Sequence, residues 1–519
     1  PANLSVEING LFQALVDSAA INDDIETDRD ANGDTFELQA VNNVTAAADT
    51  TIDVNTGQAR IESTSAAVTL VDLDSAAADG AAPIVLSGGQ VNSTSRGAGN
   101  LAIQIEAATN VTTGDITSTN SGTIEVIAGG AASGGATATM NVDAISTAGG
   151  TVYLQAMDGS NTGTIVDNND TAANDATTVM NVTATTLDAR AQTDIGTSTA
   201  TNVVLDPGDA GYTGNLLETT VSNLAVRTTE TNSNIGIDNT GALAVTALSV
   251  GGNNEGYSYI RNSTNLDISA IALSGAAFTG DDLAFIATTG NLTINNSTID
   301  LTGGGTSVIR LEAAAGQVDE LGNDNDTLTI NATSLLFKSG ESEVLATSVD
   351  FLDAQITNAV DGVNGDLTVT EANGVDVQDL DNDNISLQAQ DTINFVVTDA
   401  AAGTTAGVRI INNVNTSQDG ANGNGALATG DISIDVNGIG DFSIGTAGNS
   451  TVSSAADLTI DVNDGAVNIG VAATTVDITS GAGATTGNGN LSIDISAPTS
   501  EHAITFGDGT DANGVVTVV

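Results

Sequence analysis

A short phrase recurs along this chain and limits what it can fold into: Gly or Ala, then Asp or Asn, then a short run in which apolar and polar side chains alternate. Instances are GNLAIQI from Gly99, GNLTI from Gly290, DTLTI from Asp326, GDLTV from Gly365, GDISIDV from Gly430, GDFSI from Gly440, ADLTIDV from Ala456 and GNLSIDI from Gly489. Alternation with period two, rich in Ile, Val, Leu and Thr and bounded by Gly, Asn and Asp, marks strands that bury one face. Helical spacing is confined to Leu11-Phe12-Gln13-Ala14-Leu15-Val16, for which the expectation is a short N-terminal helix or an irregular cap.

Self-similar strand and turn units predict a repeat architecture, either a long right-handed parallel β-helix (a β-solenoid) or tandem β-sandwich domains. Sandwiches fill the space between two sheets with bulky side chains, yet aromatics are 3% of this chain and Trp is absent. The four prolines, Pro1, Pro83, Pro207 and Pro498, mark no domain-sized intervals. The β-helix is therefore the expected fold, all-β, with residues 1–50 as an N-terminal strand or cap segment and 51–519 as the repeat region. At roughly 20–25 residues per coil and a strand spacing of about 4.8 Å, the expectation is a rod on the order of 100 Å long. Stacked Asn and Thr at its turns would form hydrogen-bonded ladders.

Phrases such as GNLTINNSTIDLTGG from Gly290 resemble the repeats of filamentous-haemagglutinin-type adhesins and related bacterial surface β-helices. The resemblance implies secretion to the cell surface and a rod that projects or assembles. The secretion domain and translocator barrel of that family are not recognisable in the sequence.

Charge narrows the function. The chain carries 65 Asp and Glu against 9 Lys and Arg, a formal net charge of -56. Salt at about 0.1 M screens exposed charges beyond roughly 10 Å, so a saline exterior or divalent cations would relieve the self-repulsion. Nucleic acid and anionic membrane are excluded as partners by sign, because the bases are scattered singly and form no patch. Cysteine is absent, which removes disulfides and thiolate metal sites. No apolar run is long enough to cross a bilayer as a helix, so membrane insertion is not expected. A start at Pro1 suggests processing or a longer precursor.

Two segments have the spacing of calcium ligands. Asp28-Arg29-Asp30-Ala31-Asn32-Gly33-Asp34 matches the first half of a D-x-[DN]-x-[DN]-G loop, in which alternating oxygens wrap a hard cation. Candidate ligands are Asp28, Asp30, Asn32 and Asp34, although the closing position is Gln39 and Glu37 comes two residues early. Asp379, Asp381 and Asp383 repeat the alternation before a strand, without the glycine. The bland alternative for both is an acidic turn. Calcium is the one cofactor expected.

Sugar-cleaving β-helices are the rival reading, and Gly280-Asp281-Asp282 is similar to the paired carboxylates of polygalacturonase-like hydrolases. Their basic supporting residues are missing: the one histidine, His502, lies in Ser-Glu-His-Ala and Lys338 has no arginine near it. Tyr257 and Tyr259 are the only close aromatic pair that could stack on sugar. No enzyme is expected. Acceptor sequons N-x-[ST] are frequent, including Asn181 and Asn262, as composition alone would produce.

The ends suggest assembly. Leu4, Val6 and Ile8 alternate near the start, and Val515, Val516, Val518 and Val519 close the chain without a polar cap. Bare strand edges are templates for another chain. The expectation is a secreted structural protomer of a filament, sheath or surface layer, a homo-polymer joined through these ends. An adhesin that binds a glycan or cell-surface receptor is the nearer alternative, and a carbohydrate-active enzyme the distant one.

Overall fold

In a computed structural model, successive strands go to different ladders, and the described ladders are parallel except for the short antiparallel pair of Thr197–Ser198 with Gly214–Asn215. Strands Thr139–Val142, Ala144–Thr147 and Thr151–Ala156 pair with Val111–Thr112, Asp115–Ser118 and Thr123–Ala128 of the preceding coil. Ile432–Asn437, Phe442–Ile444 and Ser450–Ser453 likewise pair with Leu458–Val462, Val467–Ile469 and Val476–Thr479. Each of these coils thus adds one strand to each of three walls. Parallel neighbours need a long crossover, and here the other two walls supply it. The fold is all-β, a parallel β-solenoid, as the repeated phrase predicts.

The structure describes backbone and side chains over most of 109–495. It leaves out 119–122, 130–137, 158–162, 170–178, 199–204, 252–255, 274–281, 302–306, 321–326, 358–364, 399–406, 417–429, 445–449, 470–475, 481–489 and a few shorter stretches. Before 109 and after 495 it describes little beyond the backbone of the strands. The chain divides into two units, Pro1–Ser263 and Thr264–Val519.

Within the first unit one register column runs Ala14, Leu38, Ile61, Leu86, Ile105, Val126, Leu154, Ala189, Val226. From Ile105 onward its members are 0% exposed. In the second unit Leu328, Leu345, Val369, Phe395, Ile434 and Ile460 form a column of another sheet, again at 0%. Full burial of each such side chain is worth about 1.5–3 kcal/mol, which is how a core of small aliphatics holds without disulfides.

Leu11–Val16 is a strand, not a helix or irregular cap. It pairs residue for residue with Thr35–Ala40, and that ladder overrides the helical spacing of Leu11, Phe12, Leu15 and Val16. Pairing also runs through residue 50: Ile25–Thr27 meets Thr51–Asp53, and Thr35–Ala40 meets Gln58–Ser63.

The recurring phrase has a mechanical explanation. Its Asp or Asn reaches across to the next coil and accepts a hydrogen bond from the backbone N–H at the matching strand entrance. Asn265 Oδ1 accepts from Asn291 N at 3.0 Å, Asn291 Oδ1 from Gln317 N at 3.3 Å, and Asp457 Oδ1 from Asn490 N at 2.8 Å. Coils here are 26 and 33 residues long, wider than the 20–25 expected. The glycine is required by close approach. A Cβ on Gly290 would strike the backbone of Thr264 and Asn265, and one on Gly430 the carbonyl oxygen of Asp391.

Candidate functional site

Among the described residues, one cluster on the outer face of a wall in the second unit brings three carboxylates within reach of a single ion. Strand Ser334–Ser339 brings Lys338, and its neighbour Phe351–Ile356 brings Asp353 and Gln355, with Lys338 opposite Gln355 and Leu336 opposite Asp353. The turn after Val375–Val377 carries Asp379, Asp381 and Asp383 and leads into Ile385–Gln388, which pairs with the same strand at Ala354 and Gln355.

Local chemistry shapes that turn. Asp379 accepts from the amides of Asn382 at 2.6 Å and Asn384 at 2.8 Å, and Asp383 Oδ1 accepts from Ile385 N at 2.8 Å. Asn382 and Asn384 sit in the left-handed region at φ 70° and 68°, a conformation that Asn tolerates and most side chains do not. The alternation that matches a calcium loop is therefore also a self-capped acidic turn.

The turn closes over Asp353. Leu380 N donates to Asp353 Oδ2 at 2.9 Å, and Gln355 Nε2 donates both to Asp353 Oδ1 at 3.1 Å and to Asp383 Oδ2 at 2.9 Å. Oxygens of Asp353, Asp379 and Asp381 lie within 4.8 Å of one another. Asp353 is 0% exposed, and its burial pushes its carboxyl up to about 8, with Asp381 adding to the effect while the Leu380 amide, Gln355 and Lys338 oppose it. Burial raises Asp379 as well.

Lys338 Nζ stands 2.5 Å from Asp381 Oδ2 and 2.9 Å from Asp383 Oδ2. Burial works against its charge, but Asp381 and Asp383 outweigh that and hold the ammonium above its ordinary value. The donor set, all carboxylate oxygen, suits a hard cation such as calcium. An internal cation already neutralises part of it.

Compared with known proteins, this site stands on its own geometry. The chain matches no family model, no curated protein and no solved structure.

Of the residues that the sequence singles out, Asp379 and Asp381 come together, and Asp383 joins them through Lys338. Asp353 and Gln355 carry no motif and were not anticipated. In the sequence Lys338 is marked only by the lack of a nearby arginine, whereas its partners in the fold are the carboxylates of Asp381 and Asp383. Asp28, Asp30, Asn32 and Asp34 lie outside the described residues, as do Leu4, Val515 and Val519. Val6 and Ile8 belong to strand Val6–Ile8, paired with Ile25–Thr27, and Val516 and Val518 to Val516–Val518, paired with Val476–Ile478.

Other candidates resolve into packing. Tyr257 and Tyr259 are 7% and 3% exposed, and Tyr259 donates its hydroxyl to Asp206 at 2.9 Å, so neither offers a face to sugar. Asn181 and Asn262 are 0% exposed. Asn181 donates to Val142 O at 3.0 Å and to Asp167 at 2.6 Å, and Asn262 Oδ1 accepts from Asn239 at 2.8 Å. Both are interior ladder residues, closed to glycosylation of the folded chain.

Proposed function

We propose that the chain is a structural protomer of an extracellular filament, sheath or surface layer, a homo-polymer that presents a strongly anionic wall. The supporting observation is the coil-on-coil ladder: aliphatic columns fill the interior, and the recurrent Asp and Asn side chains are spent on binding one coil to the next. Such a scaffold is stabilised by each coil's neighbours and extends by repetition. The filamentous-haemagglutinin-like texture of GNLTINNSTIDLTGG is in keeping with this reading. A charge of -56 suits the ionic strength outside cells better than a crowded interior.

Calcium, where it binds, would be held by Asp353, Asp379 and Asp381, and would lock the turn onto the wall. The same geometry disfavours sugar cleavage, because a carboxyl as enclosed as Asp353 cannot reach a glycosidic oxygen.

Negative-stain microscopy of the purified full chain, across a range of salt and calcium, is the test. Filaments, sheets or regular arrays are expected. Dispersed single particles under every condition would overturn the reading, and binding to cells or glycans by such particles would favour the adhesin alternative.

A further inference from the structure

We propose that Arg190 and Arg227 form a docking doublet for carboxylates of a second copy of this chain, and that its occupant is the column Asp435, Asp461, Asp494. The inference rests on the protomer reading and names the contact that would join protomers.

Bases are scarce, 9 against 65 acids, so where they stand matters. Among the described residues, Arg261 pairs with Asp238, Arg310 with Glu312, Lys338 with Asp381 and Asp383, and Arg409 with Asp376. Arg190 and Arg227 share one acid between them. Arg190 places Nε at 3.1 Å and Nη2 at 3.0 Å on Asp188, and Arg227 places Nη1 at 3.3 Å on the same carboxylate. Two guanidinium forks on one carboxylate leave N–H donors that are not directed at Asp188, with the arginine side chains 37% and 36% exposed.

The two arginines are register partners on adjacent strands, so their backbones are one strand spacing apart, about 4.8 Å. Asp435, Asp461 and Asp494 are also register partners on successive strands, at the same repeat. Asp435 and Asp461 point outward between buried neighbours, Ile434 and Val436 in one strand and Ile460 and Val462 in the next. No ion pair among the described residues involves any of the three. Like charges in register repel, and an arginine fork fits a carboxylate with two donors. Two arginines at one strand spacing therefore match two consecutive aspartates at the same spacing.

Each copy carries both halves of this contact on different strands. The contact is heterologous, so every docked copy presents a further doublet and a further column, and the association propagates. Salt should act in two directions. Low salt lets the net charges of two copies repel, moderate salt screens that long-range repulsion, and high salt weakens the short-range pairs.

Sedimentation velocity of the full chain over a sodium chloride series tests this, using Arg190→Glu/Arg227→Glu and Asp435→Lys/Asp461→Lys/Asp494→Lys. All five positions face outward or are exposed, and thermal melting confirms folding. Each reversed protein alone should associate at least ~10-fold more weakly than the wild type, and mixing the two should restore association. Wild-type polymers that persist in the arginine variant overturn the docking and leave the protomer reading standing. Association that needs the arginines but survives reversal of the aspartates overturns the occupant. No association of the wild type at any salt overturns both.

Discussion

Glu371 shows how a single buried carboxyl can set the pH response. It is 0% exposed and faces the core, where Thr347 donates its hydroxyl at 2.6 Å and Asn373 N donates at 2.9 Å. Burial outweighs these bonds and pushes the group from 4.5 up to about 7. The folded value lies above the unfolded one, so the folded state keeps a proton that the unfolded chain loses. Stability from this group is complete below about pH 4.5, falls as pH rises, and is fully lost above about 7. Glu371→Gln imitates the protonated form. It should melt like the wild type near pH 4 and be more stable at pH 8 by about 3 kcal/mol. Melting curves across that range check it, and equal curves at pH 8 would sink the idea. Lys338 makes the opposite case. Removing it in Lys338→Met leaves the half-buried Asp381 and the more exposed Asp383 without their ammonium partner and should destabilise by about 2 kcal/mol. If the cluster accepts a hard cation, calcium should raise the melting temperature of this variant more than that of the wild type, and EDTA should reverse the gain. A variant indifferent to calcium excludes the cation.

At the scale of the strand and its turn, the Gly-Asp phrase was readable as punctuation but not as a staple. Period-two alternation is local, so the strands at Leu292–Ile294, Leu367–Glu371 and Ile432–Asn437 could be placed from the sequence. The partner of each Asp or Asn lies one coil away, 26 residues at Asn265 and 33 at Asp457, and an irregular period hides such a register. Asp353 was missed for the same reason: its strand carries no motif, and Asp379 reaches it only because a turn folds back over the wall. Leu11–Val16 was ambiguous because its spacing satisfies a helix, and only the next coil decides. The staple and the glycine make separable predictions. Asp457→Ala removes an exposed carboxylate that accepts from Asn490 and should cost about 1 kcal/mol. Gly430→Ala drives a methyl into the carbonyl of Asp391, where backbone must move, and should be several-fold more damaging. Hydrogen exchange on the amides of Ile432 and Ile393 reads both locally. Equal protection in the two variants would refute the close-approach account.

At the scale of the whole chain, net charge acts on every coil. The six described bases are each ion-paired, Arg190 and Arg227 to one shared acid, while carboxylates recur in register at Asp435, Asp461 and Asp494, and Glu7, Glu26, Asp53 and Asp74 occupy one backbone column in the first unit. Stacking like charges at about 4.8 Å opposes the hydrogen bonding that stacks the coils. A solenoid cannot spread this strain over a distant core, because each coil is stabilised by its neighbours alone. Repulsion of this kind is long-ranged in dilute buffer and short-ranged in salt, since the screening length falls from roughly 30 Å at 0.01 M to a few ångströms near 1 M. Sodium chloride raised from about 0.01 M to 0.5 M should therefore increase the melting temperature by several degrees, the reverse of what a protein held by surface ion pairs would show. Removing carboxylates from one column should mimic part of that gain. Asp435→Asn/Asp461→Asn should melt higher than the wild type in dilute buffer, and the difference should shrink as salt is added. A melting temperature that is flat or falls with salt would mean that the columns are already neutralised, and the charge would then have no mechanical role in the fold.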